Sequence, residues 1–173
     1  MPKRKTSDQV RERLLDVGAD LIAKRGFAAT NSNEIARAAG VGVGSFYRHF
    51  PDKRRLLEQI LDEFTHALRV RSLAASREGG DLESQVRRLV EAAVRLAEEQ
   101  PARFRVAAAH RGRQGGVRPS NRPVEQRLAQ LQSAGELDLG IDPGVAAKAF
   151  DVMQMGVLDW WLGSAKPAPR TAV

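Results

Sequence analysis

The sequence predicts an all-α fold, on three observations. Apolar residues recur at spacings of three and four, the period of one helix face, over most of the chain. No stretch alternates with the period of a strand, and no internal repeat is present. Glycine and proline punctuate the periodic stretches at Gly26, Pro51, Gly79-Gly80, Pro101 and Pro143, where helices would begin or end.

Taken in order, Val10, Leu14, Val17 and Leu21 share one face of a first helix, widened by Leu15 and Ile22. Gly26 closes it behind Lys24 and Arg25, cations suited to a helix C-terminus. Asn31 stands three residues before Glu34, a capping-box-like start for a second helix. Ile35, Ala36 and Ala39 give that helix a small apolar face, and Gly40 and Gly42 supply the freedom of a tight turn. A third helix is predicted over Val43–His49. After Pro51, Asp52 caps a fourth helix carrying Leu57, Ile60, Leu61, Phe64 and Leu68, which ends near Ser76. Leu82, Val86, Leu89, Ala93 and Leu96 line a fifth. Ala102 to His110 forms a sixth, Arg111 to Pro123 a loop rich in Gly, Arg and Pro, and Val124, Leu128 and Leu131 mark a seventh. Asp142-Pro143 opens the last helix, with proline at its favoured first position, and it runs to about Leu162. Gly163–Val173 carries two prolines and little apolar content and is expected to be disordered.

At 173 residues the chain suits one domain or two small ones sharing an interface. Cysteine is absent, which excludes a disulfide framework and thiolate metal sites, and His49, His66 and His110 lack ligand-like spacing. We therefore assign no metal, cofactor or catalytic residue. The basic start MPKRKTSDQV lacks the apolar core of a secretion signal. Asp151, Gln154 and Asp159 interrupt the longest apolar stretch, so it falls short of the ~20 residues of a membrane span. A cytoplasmic protein is expected. Its net charge of +7 is unevenly spread: residues 1–55 hold 12 Lys/Arg against 6 Asp/Glu, the remainder 16 against 15. A phosphate-binding segment on a near-neutral body gives that asymmetry, whereas a uniformly solvated surface does not.

Residues Ile35–Phe50, IARAAGVGVGSFYRHF, read as a helix–turn–helix. Gly44-Ser45-Phe46-Tyr47-Arg48-His49-Phe50 places hydroxyl, phenol, guanidinium and imidazole on about two helical turns, chemistry suited to phosphates and base edges. Together with LIAKRGFAAT before it and PDKRRLLEQIL after it, this run resembles the DNA-binding domain of the tetracycline-repressor (TetR) family over Met1 to about Leu61. Beyond that the likeness is only one of helix order. The resemblance implies a helix–turn–helix DNA-binding domain over residues 1–55, a helical ligand-binding and dimerisation domain over 56–162, and a tail over 163–173. It implies a homodimeric repressor that binds a palindromic operator in double-stranded DNA and responds to a small-molecule effector.

Carried over by position, the resemblance places Val43, Gly44 and Tyr47 at base edges, and Thr30, Ser45, Tyr47, His49 and Lys53 at phosphates. Arg48 is long enough for a phosphate or a guanine edge. Ser32 replaces a usually apolar residue and so faces DNA rather than core. Phe46 and Phe50 read as core anchors. Tyr47 divides between core and contact, and His49 between an internal hydrogen bond and DNA. Val43 offers a thymine methyl an apolar contact but donates no hydrogen bond, so direct readout is reduced. The Lys3-Arg4-Lys5 arm either enters a minor groove or adds general attraction.

In the body, Phe64, His66, Phe104 and His110 are the candidate effector-lining residues, against a plain-core reading of each. Met153, Gly156, Val157, Trp160 and Trp161 are the candidate dimer interface, with one tryptophan turned inward. Arg103, Arg105, Arg111, Arg113, Arg118 and Arg122 form either a solvated surface or an anion site. Family members usually end in two long pairing helices, and this sequence offers one. Two other functions compete with this one: an architectural DNA binder without a sensor, and a helical enzyme or carrier. The second lacks any paired carboxylate, phosphate loop or metal spacing.

Overall fold

Helix α1, Ser7–Arg25, begins under a capping box: Thr6 Oγ1 accepts from the Gln9 backbone at 3.3 Å, and the Gln9 side chain accepts from the Thr6 N–H at 3.0 Å. It ends at Gly26, whose φ of 82° a side chain would resist and whose N–H reaches Ile22 O at 2.8 Å. The computed structural model describes residues 6–110, 122–138 and 140–163, and every element among them is a helix. The basic arm at Lys3-Arg4-Lys5, residues 111–121 of the loop and residues 164–173 of the tail lie outside the described residues.

Helix α2, Ser32–Ala38, starts where Asn31 Oδ1 accepts from Glu34 N at 2.9 Å. The Glu34 carboxylate does not return to the cap but pairs with Arg25, so the expected capping box is half formed. The helix closes in a Schellman motif: Gly40 N reaches Arg37 O and Val41 N reaches Ala36 O, each at 3.0 Å, with Gly40 at φ 67°. Helix α3 is Val43–His49, as predicted. Helix α4, Lys53–Arg77, starts behind Asp52, whose Oδ1 accepts from Arg55 N at 2.8 Å. Then follow α5 (Leu82–Glu99), α6 (Pro101–His110), α7 (Arg122–Ser133) and α8 (Pro143–Gly163).

The chain divides into two units. The first comprises residues 1–64 and 102–109, wider than the 1–55 expected from the motif. Its core gathers Leu14, Leu15, Ile35, Phe46, Leu56 and Ile60, with Val106 of α6 among them. α1 approaches α4 closely enough that a Cβ on Gly18 would lie 2.6 Å from Leu56 Cδ2. The body of α6 is held to this unit by charge as well as packing. Arg103 donates to Asp16 at 2.9 Å, Glu63 at 3.0 Å and Glu12 at 3.4 Å, and Arg11 donates to Glu63 at 2.8 Å. Burial alone would lower the Arg103 pKa; the hydrogen bond to Asp16 and the three carboxylates outweigh it and hold it above its ordinary value. Arg103 is therefore not part of a solvated surface.

The second unit comprises residues 65–101 and 110–173. Asp81 caps α5 through Ser84 N at 2.8 Å, and hydrogen bonding from the Ser84 side chain, then from its backbone, draws the Asp81 carboxyl pKa below the usual value. Arg71 of α4 pairs with Glu99 of α5, and Gln154 of α8 donates to Leu89 O of α5 at 3.3 Å. Leu89, Ala93, Leu96 and Ala97 turn inward from α5. Val86, expected on that buried stripe, is exposed: the buried row is Gln85, Leu89, Ala93 and Ala97, and Val86 stands one residue, about 100°, off it. No helix among the described residues is long and apolar enough to cross a membrane.

Candidate nucleic-acid interface

α3 has two faces, and its seven residues sort between them without ambiguity. Phe46 is fully buried and Phe50, at the C-cap, nearly so, their ring centroids 5.9 Å apart. These anchors fix the rotation of a helix too short to hold itself. Val43, Gly44, Tyr47 and Arg48 fall on the opposite side, where positions i, i+1, i+4 and i+5 share a face. Val43 is 43% exposed and Tyr47 51%, and the Tyr47 ring rests edge-on against Phe46 at 5.4 Å. Its phenol is thus presented outward from a supported ring, which resolves the choice between core and surface. A Cβ on Gly44 would meet nothing within 4 Å, so the backbone itself forms open surface there. Ser45 and His49 are half-buried on the flanks, with the His49 ring 6.4 Å from Phe50.

Two expected phosphate residues are placed otherwise. Thr30 is 1% exposed and its Oγ1 donates to Gly26 O at 2.9 Å, so its hydroxyl secures the α1–α2 turn. Lys53 points into the same turn. Its ammonium donates to Phe27 O at 2.8 Å, Thr30 O at 2.7 Å and Ala28 O at 3.4 Å, and lies 4.4 Å from the centre of the Phe27 ring. An ammonium has three donors, and these carbonyls take all three. The cause is local: the turn between α1 and α2 directs the carbonyls of Phe27, Ala28 and Thr30 to one point, and Lys53 supplies the donor there. Ser32, the first residue of α2, is half-buried rather than fully outward. The exposed guanidinium groups of Arg37 and Arg48 make no hydrogen bond among the described residues, and the sequence reading does not single out Arg37. Its signal was present, as a basic residue in the last turn of a helix beside the recognition turn.

The candidate effector residues do not come together. Phe64 and Phe104 form a buried edge-to-face pair at 6.1 Å inside the first unit. His66 is exposed on α4 in the second unit, beside Arg69, and His110 also belongs to that unit. A pocket of about 20 Å³, room for one water, lies instead among Leu68, Ser72, Leu89, Val124, Phe150, Asp151 and Gln154. On α8, Met153 (62%), Val157 (40%) and Trp160 (66%) are exposed, and Gly156 is open. Trp161 is 8% exposed and packs inward, so it leaves the expected outward set while Trp160 remains in it.

Residues 14–60 match the family described as bacterial regulatory proteins, tetR family. The HTH-type transcriptional repressor KstR2 of Rhodococcus jostii (strain RHA1) is 43% identical over 68 residues, 38% of this chain and 33% of the relative. The chain thus spans about a third of that relative's length. Among solved structures, a tetR-family bacterial regulatory protein from Rhodococcus RHA1 superposes with a TM-score of 0.77 at 20% identity, covering 93% of this chain and 88% of the other. FadR from Bacillus subtilis, solved with stearoyl-CoA, gives 0.73 at 18% identity, with 87% and 86% covered. At these identities the structural likeness is one of fold.

Proposed function

We propose that this chain, a member of the TetR family of bacterial transcriptional regulators, is a cytoplasmic, dimeric repressor that binds a palindromic operator through α3 and responds to a small-molecule effector. The observation that carries the reading is the outer face of α3. Val43, Gly44, Tyr47 and Arg48 project from a helix whose other face is locked by Phe46 and Phe50. An open backbone at Gly44 permits close approach to DNA, Tyr47 and Arg48 supply hydrogen bonds, and Val43 suits a thymine methyl. Ser45 and His49, with Ser32 beside them, fit phosphate contacts at the flanks. Lys53 and Thr30 serve by holding the turn that sets α2 against α1. We assign DNA binding to residues 1–55 and effector binding and dimerisation to 56–162.

The exposed Met153, Val157 and Trp160 support a two-fold partner on α8, since apolar side chains of that size clustered on one face gain from burial. FadR holding stearoyl-CoA in a similar fold supports a small-molecule effector. In this chain its place is the pocket beside Ser72 and Gln154, which would have to widen to admit more than water. A gel shift on the gene's own upstream region tests the reading: a discrete complex with two protomers per duplex is expected. A smear indistinguishable from that on random duplex would favour an architectural binder instead.

A further inference from the structure

α5 carries two rows of side chains spaced four apart and turned away from the core of its unit. One row is apolar: Val86, Val90 and Val94. With Val157, Leu158 and Trp161 of α8 it lines an open groove of about 740 Å³. The other row, along the rim, is Glu83, Arg87, Glu91 and Arg95, a strict alternation of sign. Within the helix Glu83 pairs with Arg87 at 2.6 Å and Glu91 with Arg95 at 3.4 Å. Arg87 and Glu91 stand adjacent at the middle of the row.

The order −, +, −, + has a property that a random rim lacks. Read in the opposite direction it becomes +, −, +, −, so it is complementary to an antiparallel copy of itself. A two-fold axis between positions 87 and 91 would set Arg87 against the partner's Glu91, and Glu83 against the partner's Arg95. Each contact occurs twice, as an isologous interface requires. The flanking apolar rows would then meet ridge to ridge and cover the groove.

We propose that the α5–α8 groove seats α5 of a second copy of this chain, antiparallel, with the charged row setting the register. The proposal rests on the homodimer reading above and extends the interface from α8 to α5. The charge pattern argues for this occupant over others. A strongly acidic or basic partner gains nothing from a rim whose charges sum to zero. The terminal segment SAKPAPRTAV has no apolar side chain larger than valine with which to fill the groove.

The test is a pair of single charge reversals, Arg87→Glu and Glu91→Arg, in the full chain. Each brings like charges together across the axis. Each variant alone should dissociate about tenfold more readily than wild type in sedimentation equilibrium, as two exposed attractive pairs become repulsive. Mixed together, the two variants should form a heterodimer near wild-type affinity, because one contact is then restored with reversed sign and the other is the original Glu91–Arg87 pair. The double variant R87E/E91R should also pair with itself. A misfolded variant would not be rescued by mixing with another, so recovery in the mixture supports the contact itself. If both variants dimerise like wild type and mix at random, the α5 contact is wrong while a dimer through α8 stands. A wild-type monomer at micromolar concentration would overturn the homodimer reading and this proposal with it.

Discussion

At the scale of single residues, Lys53 changes what a basic residue beside a helix–turn–helix is taken to mean. Its three donors are committed to the carbonyls of Phe27, Ala28 and Thr30, so it braces the turn between α1 and α2. Lys53→Met keeps the stem over Phe27 and removes the charge. We expect it to destabilise the fold by about 1–2 kcal/mol, the scale of charged hydrogen bonds in a partly exposed site, read as a lower melting temperature. DNA affinity should fall while the slope of log K against log salt stays unchanged. A slope shallower by about 0.9 would instead mean that Lys53 neutralises a phosphate after all. Tyr47→Ala should behave differently, costing about 1–3 kcal/mol on a specific duplex and much less on random DNA. Equal losses on both would remove Tyr47 from base readout. Local spacing identified the outer face of α3, because one helix and its period suffice for that. It did not show the turn contacts of Lys53 and Thr30, because their partners are backbone carbonyls between α1 and α2, and helical periodicity carries no record of where those point.

At the scale of elements, α1 packs closely on α4 within the unit that holds α3. Gly18 has room for no more than hydrogen, with Leu56 fully buried behind it. Gly18→Ala would gain about 1 kcal/mol of helix propensity but force a buried leucine aside, which costs about 1–3 kcal/mol. We expect a net loss of stability in a urea titration, and a more stable variant would show that Leu56 can move freely. Helix boundaries were legible because caps are local: Gly26, Asn31, Asp52 and Pro143 stand where the chain turns. The attachment of α6 was not. Arg103 looked like one more cation near an arginine-rich loop, yet it meets carboxylates of α1 and α4, some ninety and forty residues away. Val86 shows the converse limit. A four-residue spacing from Leu82 predicted burial, yet the buried row runs through Gln85, and Val86 lines the groove beside it.

At the scale of the whole molecule, the excess positive charge sits in residues 1–55, and the apolar exposure of α8 sits in the second unit. The first property gives attraction to any duplex, and the second gives a route to a symmetric dimer. Together they are the two properties that the proposed binding of a palindrome, with half-sites about 34–36 Å apart, requires. Charge asymmetry was readable from composition, and so was the class of fold. The pocket beside Ser72 and Gln154 was not, because pocket shape depends on how four helices meet. The central claim is that α3 reads sequence rather than merely docking on phosphate. The direct measurement is a competition between a duplex selected by the protein from a random pool and an unselected duplex, at one fixed salt concentration. The account predicts that the selected duplex is a palindrome bound at least about 10³-fold more tightly. Equal affinity for the two duplexes would contradict it.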